Sequence, residues 1–160
     1  MKKSLKYVIL PPQALAESQA TLVRFARQEG DRRITKHAID WLSRLTPKLL
    51  SKKDSSVALA MNGKRVVGLF AVSRCGLGQS FLVVDKRYRN RGIGKALTTL
   101  ICQRLPKLYV RVALDNEASL TLFRTMGFEP VKASIGPTGK PTLWFAFGHW
   151  NPTDLQEHAG

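Results

Sequence analysis

Five basic side chains and two glycines occupy a short segment in the middle of the chain, and together they could bind an anion. The cations are Lys86, Arg87, Arg89, Arg91 and Lys95, and the glycines are Gly92 and Gly94. The first amides of a helix have no intrahelical acceptor, and the helix dipole adds partial positive charge at that end. If this segment leads into a helix, it therefore predicts a phosphate site.

The flanking sequence predicts the strand and the helix that would position such a site. Residues 81–84 are a short apolar run, which is typical of a buried strand. After the glycines, apolar residues recur every three or four positions, which predicts a helix from about residue 92 to 105. Two common phosphate motifs do not fit. Leu97 replaces the third glycine of the dinucleotide fingerprint, and Ala96 replaces the Ser or Thr of the P-loop.

Two motifs resemble one known family. Arg89, Gly92 and Gly94 form the pattern Arg-x-x-Gly-x-Gly, and residues 84–94 resemble the acetyl-CoA signature of the GNAT (general N-acetyltransferase) superfamily. Residues 115–128 resemble a later helix of the same family, whose usual pattern is Asn-x-x-Ala/Ser-x-x-Leu-Tyr-x-x-x-Gly-Phe. Because the motifs occur in the family's order and spacing, the resemblance rests on more than the glycine pattern.

The resemblance implies that acetyl-CoA is the cosubstrate. The pantetheine arm would pair with the strand before the turn, and the amides of residues 90–95 would wrap the pyrophosphate. Arg89 would fix the turn more than supply affinity, and a backbone N–H near Val83 would act as the oxyanion donor. Asn116 would contact the pantetheine arm, cap its own helix, or do both. The implied cofactor-binding residues are Leu82, Val83, Val84, Arg89, Asn90, Arg91, Gly92, Ile93, Gly94, Lys95, Asn116 and Phe123.

The catalytic acid and base stay unassigned, because the chain departs from the family pattern where they are commonly found. Phe123 stands where the family often has the Tyr that protonates the departing thiolate, and Phe has no proton to give. Residues 79–82 contain no carboxylate, although some relatives carry a Glu on this strand. His37 and His149 are candidates by residue type only. Deprotonation through water, or an acceptor that is already neutral, fits the sequence better.

The coarse element order is β-α-α-β-β-β-α-β-α-β-β, which matches the GNAT order and implies an α+β fold. The expected architecture is a mixed, mostly antiparallel central sheet flanked by helices, with a splayed strand pair and a glycine-rich pyrophosphate turn. One domain is expected over residues 1–160, with a loose tail over 151–160. We expect Asp31 to cap the second helix, Pro47 to end or kink it, and Asn62-Gly63 to form a hairpin turn. The other predicted strands are 5–10, 57–61, 66–72, 109–114, 131–135 and 142–147, and the first helix is 15–28.

Composition and charge bound the class of protein. With 44% hydrophobic and 23% charged residues, the 160-residue chain has the composition of a soluble globular protein. No apolar run approaches the roughly 20 residues of a membrane span, and no signal peptide is predicted, so a cytoplasmic location is expected. Cys75 and Cys102 are too few for a disulfide framework or a four-cysteine zinc site, so no metal is expected. The net charge of +15 favours polyanions or acidic ligands, or is simply a solvated basic surface.

Three functions fit these observations. The first is transfer of an acetyl group from acetyl-CoA to a primary amine, by direct attack in a ternary complex. The second is an RNA-directed enzyme of the same fold, such as a toxin that acetylates aminoacyl-tRNA, with the basic surface docking RNA. The third is a non-catalytic module that binds acyl-CoA or nucleic acid. Homodimers are common in folds of this kind, and one is left open here.

The acceptor site is expected to come from residues 28–40, 73–79 and 134–145. These segments carry Arg32, Arg33, Lys36, Arg74 and Lys140 without clustered carboxylates. A polyamine acceptor is therefore disfavoured. A small-molecule or aminoacyl acceptor that carries a carboxylate or a phosphate is favoured.

Overall fold

The computed structural model describes residues 5–30, 33–136 and 139–156. The strands in this part of the chain are β1 (Lys6–Ile9), β2 (Ser56–Asn62), β3 (Arg65–Ser73), β4 (Gln79–Val84), β5 (Lys107–Ala113), β6 (Glu129–Ile135) and β7 (Pro141–Gly148). The α-helices are α1 (Leu15–Glu29), α2 (Lys36–Arg44), α3 (Pro47–Leu50), α4 (Ile93–Arg104), α5 (Glu117–Thr125) and α6 (Pro152–Gln156). The predicted element order is confirmed, and the short helices α3 and α6 are additions to it.

The strands form two antiparallel sheets. The order is β1-β2-β3-β4 in the first sheet and β5-β7-β6 in the second. Strands β4 and β5 are edge strands that lie next to each other, and no backbone ladder joins them among the described residues. The predicted α+β fold with a mostly antiparallel sheet is confirmed, and β4 and β5 are its splayed pair.

Side chains on the two faces of the first sheet belong to two core regions. The period of two along β4 directs Phe81 and Val83 to the face covered by α1 and α2. Leu82 and Val84 lie on the opposite face, where α4 packs. The second core continues into β5, β7 and α5, so the two sheets share one apolar layer. Fully burying a large apolar side chain contributes about 1.5–3 kcal/mol, and this layer therefore holds β4 and β5 in place without a ladder.

Strands β4 and β5 are held together near Gly76, in the turn before β4. A Cβ built on Gly76 would lie 1.8 Å from the carbonyl oxygen of Tyr109, so the backbone of this turn touches β5 directly. The φ angle of Gly76 is +97°, a value that glycine adopts without strain. Arg111 on β5 donates a hydrogen bond to the carbonyl of Gly78 at 2.9 Å. These contacts close one end of the gap between the two edge strands.

Three local predictions were wrong by a few residues. Asn62 pairs with Arg65 as the last residue of β2, so the hairpin turn consists of Gly63 and Lys64, and of these two only Gly63 has a positive φ. The predicted cap Asp31 lies outside the described residues. Helix α2 begins at Lys36, and the Thr35 hydroxyl accepts a hydrogen bond from the Ala38 amide. Helix α2 ends at Arg44, ahead of Pro47, which instead opens α3.

The predicted loose tail was also wrong over residues 151–156. Leu155 on α6 is 7% exposed and packs beside Tyr109 and Trp144. The Tyr109 hydroxyl donates to Asp154 Oδ2 at 2.6 Å and accepts from the Asn151 amide at 3.0 Å. The segment is ordered by these contacts with β5 rather than by its own helix propensity, because five residues are too few for a stable isolated helix. Residues 157–160 lie outside the described part of the chain.

Candidate active site

A cavity of about 620 Å³ lies between β4 and β5 and is large enough for a cofactor-sized ligand. We call it the cleft. Its walls are β4, β5, and the N-terminal ends of α4 and α5, and it is bordered by Glu29, Gly30, Arg33 and Ile34. Of the predicted cofactor-binding residues, those that line the cleft are Leu82, Val83, Val84, Arg89, Asn90, Gly92, Ile93, Gly94, Lys95, Asn116 and Phe123. Arg91 is the exception, and its guanidinium lies 5.1 Å from the centre of the Tyr88 ring.

The N-terminal end of α4 presents backbone donors to the cleft. Ala96 N donates to Gly92 O at 3.0 Å, so the amides of residues 93–95 precede the first hydrogen bond of the helix. Gly92 has φ +81° and Asn90 has φ +62°, and these two left-handed residues shape the turn that exposes the amides. No side chain caps this helix. The arrangement is a site for an anion such as a phosphate, and the positive end of the helix dipole favours one there.

Arg89 holds this turn in place. Its Nε donates to Val84 O at 3.2 Å and its Nη2 donates to Glu29 O at 3.3 Å. The side chain therefore connects the end of β4 to the end of α1. These two hydrogen bonds fix the turn, which is one part of the role expected for Arg89.

The hydrogen-bonding direction of β4 decides which amides face the cleft. Asp85 N donates to Val67 O at 2.9 Å, and the register places Val83 opposite Leu69. Opposed residues in an antiparallel pair alternate between bonded and non-bonded pairs, so Val83 bonds to β3. The amides of Leu82 and Val84 then point to the cleft. The backbone donors that β4 presents to the cleft are thus the amides of Leu82 and Val84, rather than the amide of Val83.

Helix α5 and its cap residue contribute the Asn116 side chain and the Phe123 ring to the cleft. Asn116 caps the helix, since its Oδ1 accepts from the Ser119 amide at 3.3 Å, and it also borders the cavity. Phe123 is 4% exposed and packs with its ring centroid 5.1 Å from that of Phe128. Ala118, on the same helix, is exposed at the surface of the cleft.

The described side chains provide few groups for proton transfer. His37 and His149 are exposed and do not line the cleft. Tyr88 lines it, with its hydroxyl 2.7 Å from Asn62 Nδ2. Glu29 borders the cleft at the end of α1 and was missed by the sequence analysis. Its one sequence signal is its place directly before the helix-ending Gly30. Burial and a hydrogen bond to Asp154 raise the pKa of Tyr109 to about 12, so Tyr109 is not suited to proton transfer near neutral pH.

An ion bridge joins three segments that border the cleft. Asp115 Oδ1 lies 3.1 Å from Arg33 Nη1, and its Oδ2 lies 2.8 Å from Lys140 Nζ. The hydrogen bond from Lys140, followed by the one from Arg33, lowers the pKa of the Asp115 carboxyl. The predicted acceptor segments 28–40 and 134–145 thus meet at Asp115, whose role the sequence analysis had not identified.

The third predicted acceptor segment closes one end of the gap between β4 and β5 but does not line the cleft. Residues 73–79, including Arg74, do not line the cleft, and neither does Lys36, while Arg32 lies outside the described residues. Arg111 from β5 does line it, and its guanidinium lies 5.0 Å from the centre of the Trp144 ring. Burial lowers the pKa of Arg111 from its usual value. Of the residues that line the cleft, the cations outside the α4 turn are therefore Arg33, Arg111 and Lys140.

Two negative findings apply to the described residues. His, Cys, Asp and Glu side chains do not gather there in groups of three or more, as a metal ion would require. The helices in the described ranges are also too short or too polar to cross a membrane.

Comparison with known proteins finds similarity to acetyltransferases. The family description "Acetyltransferase (GNAT) domain" matches residues 16–139. The chain is 35% identical over 80 residues to N-alpha-acetyltransferase RimI of Mycobacterium tuberculosis, a match that covers 45% of this chain and about half, 51%, of that protein. It is 27% identical over 114 residues to the ribosomal protein bS18-alanine N-acetyltransferase of Escherichia coli, covering 66% of this chain and 74% of that protein.

Solved structures show the same fold. Arabidopsis thaliana NAA60 in complex with acetyl-CoA superposes with a TM-score of 0.65 at 15% identity, covering 90% of this chain and 98% of that chain. At this level of identity the comparison concerns the architecture alone.

Proposed function

The chain belongs to the GNAT acetyltransferase family, and from this premise we propose that it transfers the acetyl group of acetyl-CoA to a primary amine of a protein or peptide. The observation that carries the proposal is the cleft between the unpaired edges of β4 and β5, which ends at the uncapped N-terminus of α4. An extended arm fits such a gap, and a pyrophosphate fits such a helix end.

The proposed cofactor contacts follow from the donors that face the cleft. The pyrophosphate would accept hydrogen bonds from the amides of residues 93–95. The pantetheine arm would run along β4, past the backbone groups of Val84 and Leu82. One of these two amides would donate to the thioester carbonyl, where negative charge develops during attack. Phe123 and Asn116 would contact the arm from α5.

The reaction needs no covalent enzyme intermediate. The amine nitrogen attacks the thioester carbon, the N–C bond forms as the C–S bond breaks, CoA leaves as the thiolate, and one proton passes from nitrogen to solvent. Cys75 and Cys102 do not line the cleft, and burial raises the pKa of both thiols, to about 11 for Cys102. A thiol with a raised pKa is a poor nucleophile, which supports direct attack in a ternary complex.

The acceptor is proposed to be a protein or peptide amine because one relative is named as an N-alpha-acetyltransferase and the other for acetylation of an alanine of ribosomal protein bS18. The cations Arg33, Arg111 and Lys140 favour acidic groups beside the amine. An amine carried on RNA is the second candidate, supported by the net charge of +15. Steep loss of acceptor affinity with rising salt would distinguish RNA from a peptide.

The cofactor site is tested by calorimetry with acetyl-CoA on wild type, Gly92→Glu and Gly63→Glu. Both glycines have positive φ and open space around an added Cβ, so the substitutions impose similar backbone strain. Only Gly92 lies beside the proposed pyrophosphate. We expect Gly92→Glu to lose acetyl-CoA binding and Gly63→Glu to keep it.

A folded wild type that does not bind acetyl-CoA would overturn the proposal, and RNA binding would then be measured. Thiol release from acetyl-CoA in the presence of an alanyl peptide tests turnover. Binding without thiol release, across peptide, amino-acid and aminoacyl-tRNA acceptors, would identify a non-catalytic binding module instead.

A further inference from the structure

Ser80 on β4 carries a buried hydroxyl that is not used within the protein. Its Oγ is inaccessible to solvent and has no hydrogen-bond partner in the described part of the chain. Ser80 also lines the cleft. A buried hydroxyl without a partner costs about 1–3 kcal/mol, so a site that retains one invites a ligand that supplies the missing hydrogen bond.

Ser56 is the natural comparison for Ser80. Its Oγ is likewise buried without a partner among the described residues. The register places Ser56 and Ser80 opposite the same residue, Val72, on the two sides of β3. The two serines thus lie in one row across the sheet, but Ser56 does not line the cleft.

The position of Ser80 along β4 suggests which ligand group it meets. Val84, Leu82 and Ser80 share one side of the strand, and each is about 6.8 Å from the next. Val84 lies nearest to the α4 end, where the pyrophosphate is proposed to bind, and the arm would reach Leu82 before Ser80. Ser80 therefore lies on the acceptor side of the thioester.

We propose that the Ser80 side chain turns toward the cleft when the acceptor binds, so that its Oγ accepts a hydrogen bond from the acceptor amine and orients the lone pair of the amine toward the thioester carbon. This inference rests on the proposed function. A neutral serine hydroxyl is too weak a base to take the proton outright, so the proton still leaves to solvent. The contribution of Ser80 is orientation of the nucleophile, at a place where this chain has no carboxylate on β4.

The test compares two ligands and three proteins by calorimetry. The ligands are acetyl-CoA and a stable conjugate in which the CoA sulfur is joined through a CH2–C(=O) bridge to the α-nitrogen of an alanyl tetrapeptide. The proteins are wild type, Ser80→Ala and Ser56→Ala. We expect Ser80→Ala to bind acetyl-CoA as wild type does and to bind the conjugate about tenfold more weakly, the effect of one net hydrogen bond. Ser56→Ala should bind both ligands as wild type does.

Urea unfolding provides a second readout. Both serine-to-alanine variants should be as stable as wild type or more stable, because each loses an unpaired buried hydroxyl. A lower kcat with the alanyl peptide should accompany only Ser80→Ala.

The outcomes separate the inference from the proposed function. In one outcome, wild type binds the conjugate more tightly than acetyl-CoA while Ser80→Ala binds the conjugate with the same affinity as wild type. That result would contradict the Ser80 contact and leave the proposed function standing. If Ser80→Ala weakens acetyl-CoA itself, the hydroxyl meets the cofactor and the inference is again wrong. If wild type binds the conjugate no more tightly than acetyl-CoA, the result would contradict both the peptide acceptor and the Ser80 contact.

Discussion

Lys140 Nζ lies 2.8 Å from Asp115 Oδ2, and this ion pair ties the β6–β7 hairpin to the turn before α5. Arg33 binds the other oxygen of the same carboxylate at 3.1 Å. One carboxylate therefore serves two cations, and the group keeps a net positive charge beside the cleft. Because all three side chains are about half exposed, the bridge adds little to stability. Its effect is expected on the acceptor instead.

Replacing Asp115 by Asn should change acceptor preference. With the carboxylate gone, Arg33 and Lys140 are available to an acidic group on the acceptor. We expect KM to fall about two- to fivefold for a peptide with Asp at its second position and to rise for one with Lys there. The acetyl-CoA Kd should not change. Glu117→Gln removes a charge from a nearby exposed position outside the cleft and is the control. Equal changes of KM for both peptides would contradict this role for the bridge.

Restoring the family's Tyr at position 123 should change turnover little. CoA has a thiol, and a thiol of ordinary pKa, about 8.5, leaves as the thiolate at small cost near pH 7. We expect kcat of Phe123→Tyr to lie within about threefold of wild type. The control Phe123→Ala removes the ring that packs on Phe128 and Phe145 and should cost about 3–5 kcal/mol of stability. A hundredfold gain in kcat for Phe123→Tyr would instead show that wild-type turnover is limited by protonation of the leaving group.

Gly76→Ala should push β5 away from the turn before β4. The added Cβ would meet the Tyr109 carbonyl at 1.8 Å, and the positive φ adds strain. We expect a loss of more than about 3 kcal/mol in urea unfolding, together with weaker acetyl-CoA binding. Gly63→Ala has a positive φ but no close neighbour, so it should cost only about 1 kcal/mol. Similar losses for the two variants would mean that backbone strain, not the contact with β5, sets the cost.

The Tyr109 hydroxyl should make stability depend on pH in alkaline solution. Its pKa is raised to about 12, first by burial and then by the hydrogen bond to Asp154. The unfolded chain releases this proton near pH 10, before the folded protein does, so stability should fall as pH rises from 10 to 12. Urea unfolding at pH 9 and 11 measures the difference. Tyr109→Phe should be less stable than wild type at pH 9, and its free energy of unfolding should fall less than that of wild type between pH 9 and pH 11. An identical loss in both proteins would assign the effect to other groups.

Local signals were enough to predict the turn into α4. Gly92 and Gly94 provide the backbone freedom, and the apolar periodicity that follows identifies the helix. The direction of the β4 amides could not be predicted the same way. It depends on which residue of β3 lies opposite Val83 and whether that pair is hydrogen-bonded, and the short apolar run of β4 does not determine this by itself.

Long-range contacts account for the rest of what the sequence did not reveal. Asp115 directly precedes the predicted cap residue Asn116, yet its partners are Arg33 and Lys140, one far before it and one after it in the chain. Ser80 is an ordinary strand residue until its environment is known. The helix α6 depends on a single buried leucine, Leu155, in an otherwise polar segment, which gives no periodic pattern.

The second sheet extends beyond the part of the chain that matches the family, so the segment needed for folding is longer than the segment identified by sequence similarity. The family match ends at residue 139, ahead of β7. Yet β7 is the central strand of that sheet, paired with β5 on one side and β6 on the other. A fragment cut at the limit of the match would leave two strands without their common partner, and β5 without the support that α6 provides through Asp154. Expression of a shortened protein should therefore keep residues 140–156.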